Sequence, residues 1–153
     1  MITVHKLVST SLGIGYIGRG GGTVAAVMAC LCLYLMHMAG GSQLVWWLPA
    51  VTVLLTALGV WSADEVEPHW GKDDKKVVID EVAGMYISLL LIPVTPGSLI
   101  AGLVLFRFFD IVKPLYIRRL EKVGGGLGVM LDDVVAGVYA NIVLQTLLYF
   151  KIL

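Results

Sequence analysis

The sequence predicts an all-α fold: a polytopic membrane bundle of about five helices, forming a single domain over residues 1–153, with its charged loops gathered on one face. Three observations carry this expectation. Hydrophobic residues make up 58% of the 153-residue chain and charged residues only 14%, far from a soluble average. Apolar stretches run over 23–39, 44–61, 82–94, 99–109 and 134–150. The links between them alternate between charged and uncharged, as a chain crossing a membrane back and forth produces.

The start of the chain, 1–11, holds His5 and Lys6 but no apolar core followed by a small-residue cleavage site, so it is not expected to be a signal peptide. The first, second and fifth stretches approach the ~20 residues a helix needs to cross ~30 Å of hydrocarbon. In the first, Cys30 and Cys32 are two residues apart and point to different sides of a helix, so they are expected to be packing residues rather than a disulfide. Trp46, Trp47 and Trp61 bracket the second stretch, as interfacial anchors do. The third and fourth are shorter and flank Pro93, Val94, Thr95, Pro96 and Gly97, a turn-forming cluster that would join two helices as a hairpin. A soluble all-helical protein, with its two short helices covered by others, is the competing fold.

Orientation follows from the basic residues. Lys6 and Arg19 precede the first helix, Lys72, Lys75 and Lys76 lie between the second and third, and Lys113, Arg118, Arg119 and Lys122 lie between the fourth and fifth. The positive-inside rule puts all of these on the cytoplasmic side, with Lys151 alone outside. Eleven basic residues balance eleven acidic ones, so no net charge draws the chain to nucleic acid, and any anion site must be local.

Carboxylates at a membrane boundary are costly unless paired or metal-bound. Asp80 and Glu81 open the third helix, Asp110 ends the fourth, and Asp132 and Asp133 open the fifth, so the predicted topology brings all five to one face. Oxygen ligands without His or Cys favour Mg²⁺, which binds substrate phosphate with few protein carboxylates. The competing account has Asp80 and Asp133 favouring helix starts through the dipole, and Asp110 pairing with Arg107 or Lys113. Arg107 lies three residues before Asp110 on one helical face, where a guanidinium can grip phosphate oxygens, with Lys113 adding a point charge. Snorkelling of both toward headgroups is the alternative.

Two segments share the pattern D-x-V-A-G-x-Y: Asp80 to Tyr86 and Asp133 to Tyr139. In a helix the Asp and the Gly four residues later share a face, so each segment offers a carboxylate and, one turn deeper, a smooth patch for close helix approach. Gly13 to Gly22 and Gly124 to Gly128 are glycine-rich and precede helices, as loops that meet a phosphate do, or as plain linkers. Cys30 lacks an arginine-bearing phosphate loop, His5, His37 and His69 stand alone, and no Asp-x-Asp pair exists. Thiolate, phosphohistidine and paired-aspartate phosphoryl transfer are therefore not expected.

With these residues in view, the chain resembles the phosphatidylglycerophosphatase A family over about 12–147. The resemblance rests on Val78-Ile79-Asp80-Glu81-Val82-Ala83-Gly84-Met85, on Leu105-Phe106-Arg107-Phe108-Phe109-Asp110-Ile111-Val112-Lys113-Pro114, and on the segment from Gly125 to Ala140 containing Asp132 and Asp133. It implies a bacterial inner-membrane enzyme that removes the terminal phosphate of phosphatidylglycerophosphate, depends on Mg²⁺, and uses the acids of these motifs. It also implies substrate contacts near Thr23 and Asp73, the latter matching a family acidic position seven residues before Asp80. Gly21-Gly22-Thr23 stands where the family usually has Pro-Gly-Thr, and Asp73-Asp74 where it has Asp-His, followed by an unusual Lys75-Lys76.

The expected chemistry is hydrolysis assisted by Mg²⁺ on Asp80, Glu81, Asp110, Asp132 and Asp133. Arg107 and Lys113 would stabilise the phosphoryl oxygens, and Asp133 would serve as general base. Attack by an Asp instead of water stays open. An ion or proton pathway would distribute acids through membrane depth, and a lipid phosphotransferase would need a nucleotide-alcohol site and a denser Asp motif.

Overall fold

Glycine and capping residues decide where these apolar stretches begin and end. The computed structural model describes residues 2–40, 43–72, 74–114, 117–120 and 123–153, and none of them is in a strand. Among them are α1 (Ile2–Ser9), a 3₁₀ turn (Ile14–Ile17), α2 (Gly21–Gly40), α3 (Leu44–Trp70), α4 (Ile79–Ser88), α5 (Pro96–Val112), α6 (Ile117–Leu120) and α7 (Gly125–Tyr149). The five expected helices are α2, α3, α4, α5 and α7. Three of them, over Gly21–Gly40, Trp46–Trp70 and Gly125–Tyr149, are long and apolar enough to cross a membrane. Large apolar side chains such as Leu35, Val53, Val104 and Ile142 face outward on these helices and on α5, which suits hydrocarbon rather than water.

α1 is an addition, because eight residues are too few to show a helical period. It lies against α3, with His5 buried edge-on to Trp61 at 4.8 Å between ring centroids and its Nδ1 3.4 Å from Ser62 Oγ. Backbone N–H of Val78 donates to Ser9 O at 2.9 Å, tying this end of the chain to the start of α4. α3 continues nine residues past Trp61, carrying Asp64, Glu65 and Glu67 beyond the apolar stretch. Cys30 is buried and Cys32 exposed, with no disulfide.

The predicted hairpin between α4 and α5 forms with the expected residues. Pro96 opens α5, and Thr95 and Ser98 make a reciprocal capping box, the Ser98 N–H donating to Thr95 Oγ1 at 3.1 Å and the Thr95 N–H to Ser98 Oγ at 3.0 Å. Asn141 of α7 secures the other side: its Nδ2 donates to Ser88 O at 3.1 Å and to Leu90 O at 2.8 Å. Those carbonyls end α4 and would otherwise be orphaned in an apolar setting.

The glycines Gly124 to Gly128 behave differently from a flexible loop. α7 begins at Gly125, so Asp132 and Asp133 lie about two turns inside the helix rather than at its entrance. The reason is packing. A Cβ on Gly126 would fall 2.0 Å from Val60 O, so only glycine lets α7 start this close to α3. Asp64 Oδ1 accepts a hydrogen bond from the Gly126 N–H and so caps α7 from a neighbouring helix. Gly125 has φ 73° and faces the same carboxylate, which a Cβ would meet at 2.6 Å. Asp64→Ala should lower thermal stability by about 1 kcal/mol, the usual cost of a lost cap, while Asp64→Asn retains most of it; equal melting temperatures for the two variants would remove the cap from the account.

α7 is the central element, packed against α3, α4 and α5, and its most extensive partner is α4. The two copies of D-x-V-A-G-x-Y meet at that crossing. A Cβ on Gly137 would lie 2.4 Å from Gly84 O, and one on Gly84 would lie 2.7 Å from Asp133 O and 2.5 Å from Phe106 Cε2. Each glycine therefore forms the smooth patch expected of it, and the shared helical spacing places Asp80 and Asp133 one turn above the contact.

Candidate active site

Above the glycine crossing the helices open into a polar cavity of about 440 Å³, walled by the start of α2, the start of α4, the end of α5 and the second turn of α7. Asp80, Glu81, Arg107, Asp110, Lys113, Asp132 and Asp133 all line it. Seven of the nine residues singled out in the sequence therefore converge. Thr23 lies one residue beyond Gly22 on α2, exposed and outside the lining, and Asp73 falls outside the described residues. The acids sit at one end of the bundle rather than along its depth, an arrangement that favours a boundary site over a conducting path.

Ligand oxygens of Glu81, Asp110 and Asp133 lie within 4.8 Å of one another. Asp133 is 3% exposed and Asp80 and Asp132 are also buried. Arg107 bridges two of the acids, pairing through Nη1 with Glu81 and, at 2.7 Å, with Asp110 Oδ2. Its buried Nε has no hydrogen-bond partner among the described residues. Lys113 Nζ pairs with Asp132 Oδ2 at 2.6 Å. Its backbone ends α5 in the left-handed region at φ 47°, directly before Pro114, and this turn sends the side chain back over α7.

Neighbouring backbone also holds these carboxylates. The Glu81 N–H donates to Asp80 Oδ1 at 3.0 Å, and the Asp133 N–H to Asp132 Oδ1 at 3.1 Å. Gly22 at the start of α2 packs so closely that a Cβ would fall 1.8 Å from Glu81 Oε1, which accounts for a glycine there. Burial, and then the charge of Asp110, push the Glu81 carboxyl up to about 7 against the opposing pull of Arg107. α4 has only ten residues and Glu81 stands in its first turn, at the polar end.

Several further residues complete the cavity. Arg19, Asp74 and Lys75 line it, as do Gly18, Gly20, Gly21 and Gly22. The end of the first glycine-rich segment thus lines the cavity beside the acids, whereas the second is consumed in helix packing. Arg19 and Lys75 were visible only as loop charges, and nothing in their spacing separates a cavity wall from a solvated loop.

The sequence pattern of the family described as Phosphatidylglycerophosphatase A matches residues 7–148. The chain belongs to the phosphatidylglycerophosphatase A family. A Phosphatidylglycerophosphatase A of Escherichia coli K12 is 35% identical over 136 residues, covering 86% of this chain and 76% of its own. One from Haemophilus influenzae is 38% identical over 104 residues, 66% of this chain and 64% of its own. A Bacteroides thetaiotaomicron protein provisionally described as a phosphatidylinositol-3-phosphatase is 41% identical over 142 residues, 90% of this chain and 89% of its own. No solved structure matches the chain. All three motifs of the phosphatidylglycerophosphatase A resemblance lie inside the matched region and contribute acids to the one cavity.

Proposed function

We propose that this member of the family hydrolyses the terminal phosphomonoester of phosphatidylglycerophosphate, giving phosphatidylglycerol and inorganic phosphate, with Mg²⁺ held among its acids at the cytoplasmic face of a bacterial inner membrane. The observation that carries the reading is the convergence of three motifs on one cavity where carboxylates, three of them buried, outnumber the basic side chains. Six carboxylates, those of Asp74, Asp80, Glu81, Asp110, Asp132 and Asp133, share that wall with four basic side chains, those of Arg19, Lys75, Arg107 and Lys113. Carboxylates this crowded and largely shielded from water need further positive charge. The donor set fits a hard divalent ion, since the three closest groups offer only carboxylate oxygen.

Glu81, Asp110 and Asp133 would hold the cation, with Asp80 and Asp132 beside them. When bound, Mg²⁺ supplies Lewis-acid polarisation of the phosphoryl group and of an attacking water. Arg107 binds phosphoryl oxygens through its guanidinium, held in place by Glu81 and Asp110, and stabilises the charge that builds on them. Lys113, oriented by Asp132, adds a second positive point. Asp133 would accept a proton from the water as its oxygen bonds to phosphorus, and return it to the lipid oxygen as the ester P–O bond breaks, so that the lipid leaves as the alcohol. Gly20, Gly21 and Gly22 close the cavity at the start of α2, the helix end that favours an anion.

Phosphate release by the purified, reconstituted protein tests this. Turnover of phosphatidylglycerophosphate should require Mg²⁺, stop with EDTA and return when the metal is restored; undiminished turnover in EDTA would remove the metal. Release from phosphatidylinositol 3-phosphate alone would move the substrate to the class named for the Bacteroides relative. Metal binding must displace the proton that Glu81 holds up to about pH 7. The Mg²⁺ concentration for half-activation should therefore climb by roughly tenfold for each pH unit below 7 and level off above it. The same displacement sets the sign for stability without metal. The folded state holds a proton more tightly than the unfolded chain between about pH 4.5 and 7, so stability should fall as pH rises through that window.

A further inference from the structure

A second concave feature, apolar and about 360 Å³, lies on the outer surface between α2 and α5. Its walls are Val27, Leu31 and Tyr34 on α2, and Pro96, Ile100 and Leu103 on α5. We propose that this groove holds an acyl chain of the lipid whose phosphate occupies the acid cavity, so that substrate is gripped at both ends. The inference rests on the lipid-phosphatase reading of that cavity and adds a binding site for the tail.

Helical spacing aligns the groove with the site. Leu103, Ile100 and Pro96 lie four, seven and eleven residues before Arg107, on the one face that Arg107 also occupies. Val27, Leu31 and Tyr34 likewise follow Gly20 at seven, eleven and fourteen residues, and Gly20 lines the cavity. Two facing stripes thus run from the phosphate-binding end down the bundle. At 1.5 Å per residue, Pro96 lies about 16 Å from Arg107 along α5, close to the ~15 Å depth of one leaflet. Thr23, one turn before Val27 and exposed, falls on the same stripe where headgroup gives way to chain. The apolar cavity on the other side of α2 is larger, about 560 Å³, but takes no wall from α5. It lies against Ile79, Val82 and Tyr86 of α4 instead, off the α5 stripe that carries Arg107.

The test uses the full chain reconstituted with Mg²⁺ and follows phosphate release from dipalmitoyl phosphatidylglycerophosphate and from its deacylated headgroup. Leu31→Trp and Ile100→Trp fill the groove from opposite walls at positions 45% and 64% exposed, so neither disturbs the core. Each should raise KM for the diacyl substrate by roughly tenfold, the effect of lost contact with a few methylenes, with kcat and turnover of the deacylated compound unchanged. Val53→Trp, on an exposed face of α3 outside the groove, should match wild type. Equal losses on both substrates, or none, would overturn the proposal. A readout without turnover separates it from the activity itself: a phosphatidic acid bearing a photoreactive acyl chain should label peptides containing Leu31 and Ile100. Excess unlabelled phosphatidic acid should compete and phosphatidylcholine should not. Equal competition by both lipids would assign the groove to bulk lipid, and labelling lost as protein concentration rises would assign it to a second copy; either result overturns the proposal. Wild-type labelling with that selectivity but no phosphate release would leave the groove standing and remove the reading of the acid cavity.

Discussion

Asp133→Asn should abolish phosphate release while leaving the protein folded. The side chain is 3% exposed and lies within ligand distance of Glu81 and Asp110. An amide keeps its shape but cannot accept the proton or bring the charge that a cation needs. A loss of roughly 10³-fold in kcat/KM is expected, the scale of removing a general base. Stability should move the other way. Removing one buried charge from a crowded set of carboxylates relieves repulsion, so the metal-free variant should melt at or above the wild-type temperature. Asp74→Asn is the matched control: Asp74 also lines the cavity but pairs with Lys76 at 3.0 Å near its rim, and its loss should change kcat/KM less than about threefold, within the range of surface ion pairs. Turnover of Asp133→Asn within tenfold of wild type would take Asp133 out of the reaction.

Gly137→Val should damage both folding and chemistry, although it touches neither the acids nor Arg107. Its Cβ would sit 2.4 Å from Gly84 O and 3.0 Å from Ile87 Cβ, so α4 and α7 must part. Overpacking of this kind costs about 3 kcal/mol or more at a backbone contact with no side chain to yield. The separation would be transmitted to Asp80 and Asp133 one turn away. A displacement of ~1 Å in a reacting group can cost 10²-fold, so the folded fraction should also turn over slowly. Gly40→Ala, where a Cβ meets nothing within 4 Å, should be neutral in thermal melting and turnover. A fully active, normally stable Gly137→Val would refute the crossing as the device that aligns the two aspartates.

Much of the site was legible because its signals are local. Asp80, Glu81, Asp110, Asp132 and Asp133 stand out in apolar surroundings, where an ionised group is rare, and strand-free alternation of charged links brings their helix ends to one face. The repeat D-x-V-A-G-x-Y carried its geometry with it, since a four-residue spacing is one turn of any α-helix. The hairpin at Pro93 to Gly97 was equally plain from turn chemistry. Other features had no local signature. The glycines at 124–128 read as a loop, because glycine is the residue of both flexible links and close helix contacts, and only Val60 O and Asp64 distinguish the two. Asp64 drew no reading from the sequence, because its partner is the N–H of a residue far along the chain. α1 was too short to announce itself.

Composition and pattern alone determined that this chain is helical, lipid-facing and acidic at one boundary, because hydrophobic run length and isolated charge are properties of a segment and its solvent. Tertiary structure alone decided that Arg107 bridges Glu81 and Asp110, that Lys113 turns back to Asp132, and that α2 and α5 leave an apolar groove between them. Those facts depend on how far apart two helices stand, and that distance is set by the absence of a Cβ at Gly22, Gly84, Gly126 and Gly137, measurable only once both neighbours are in place.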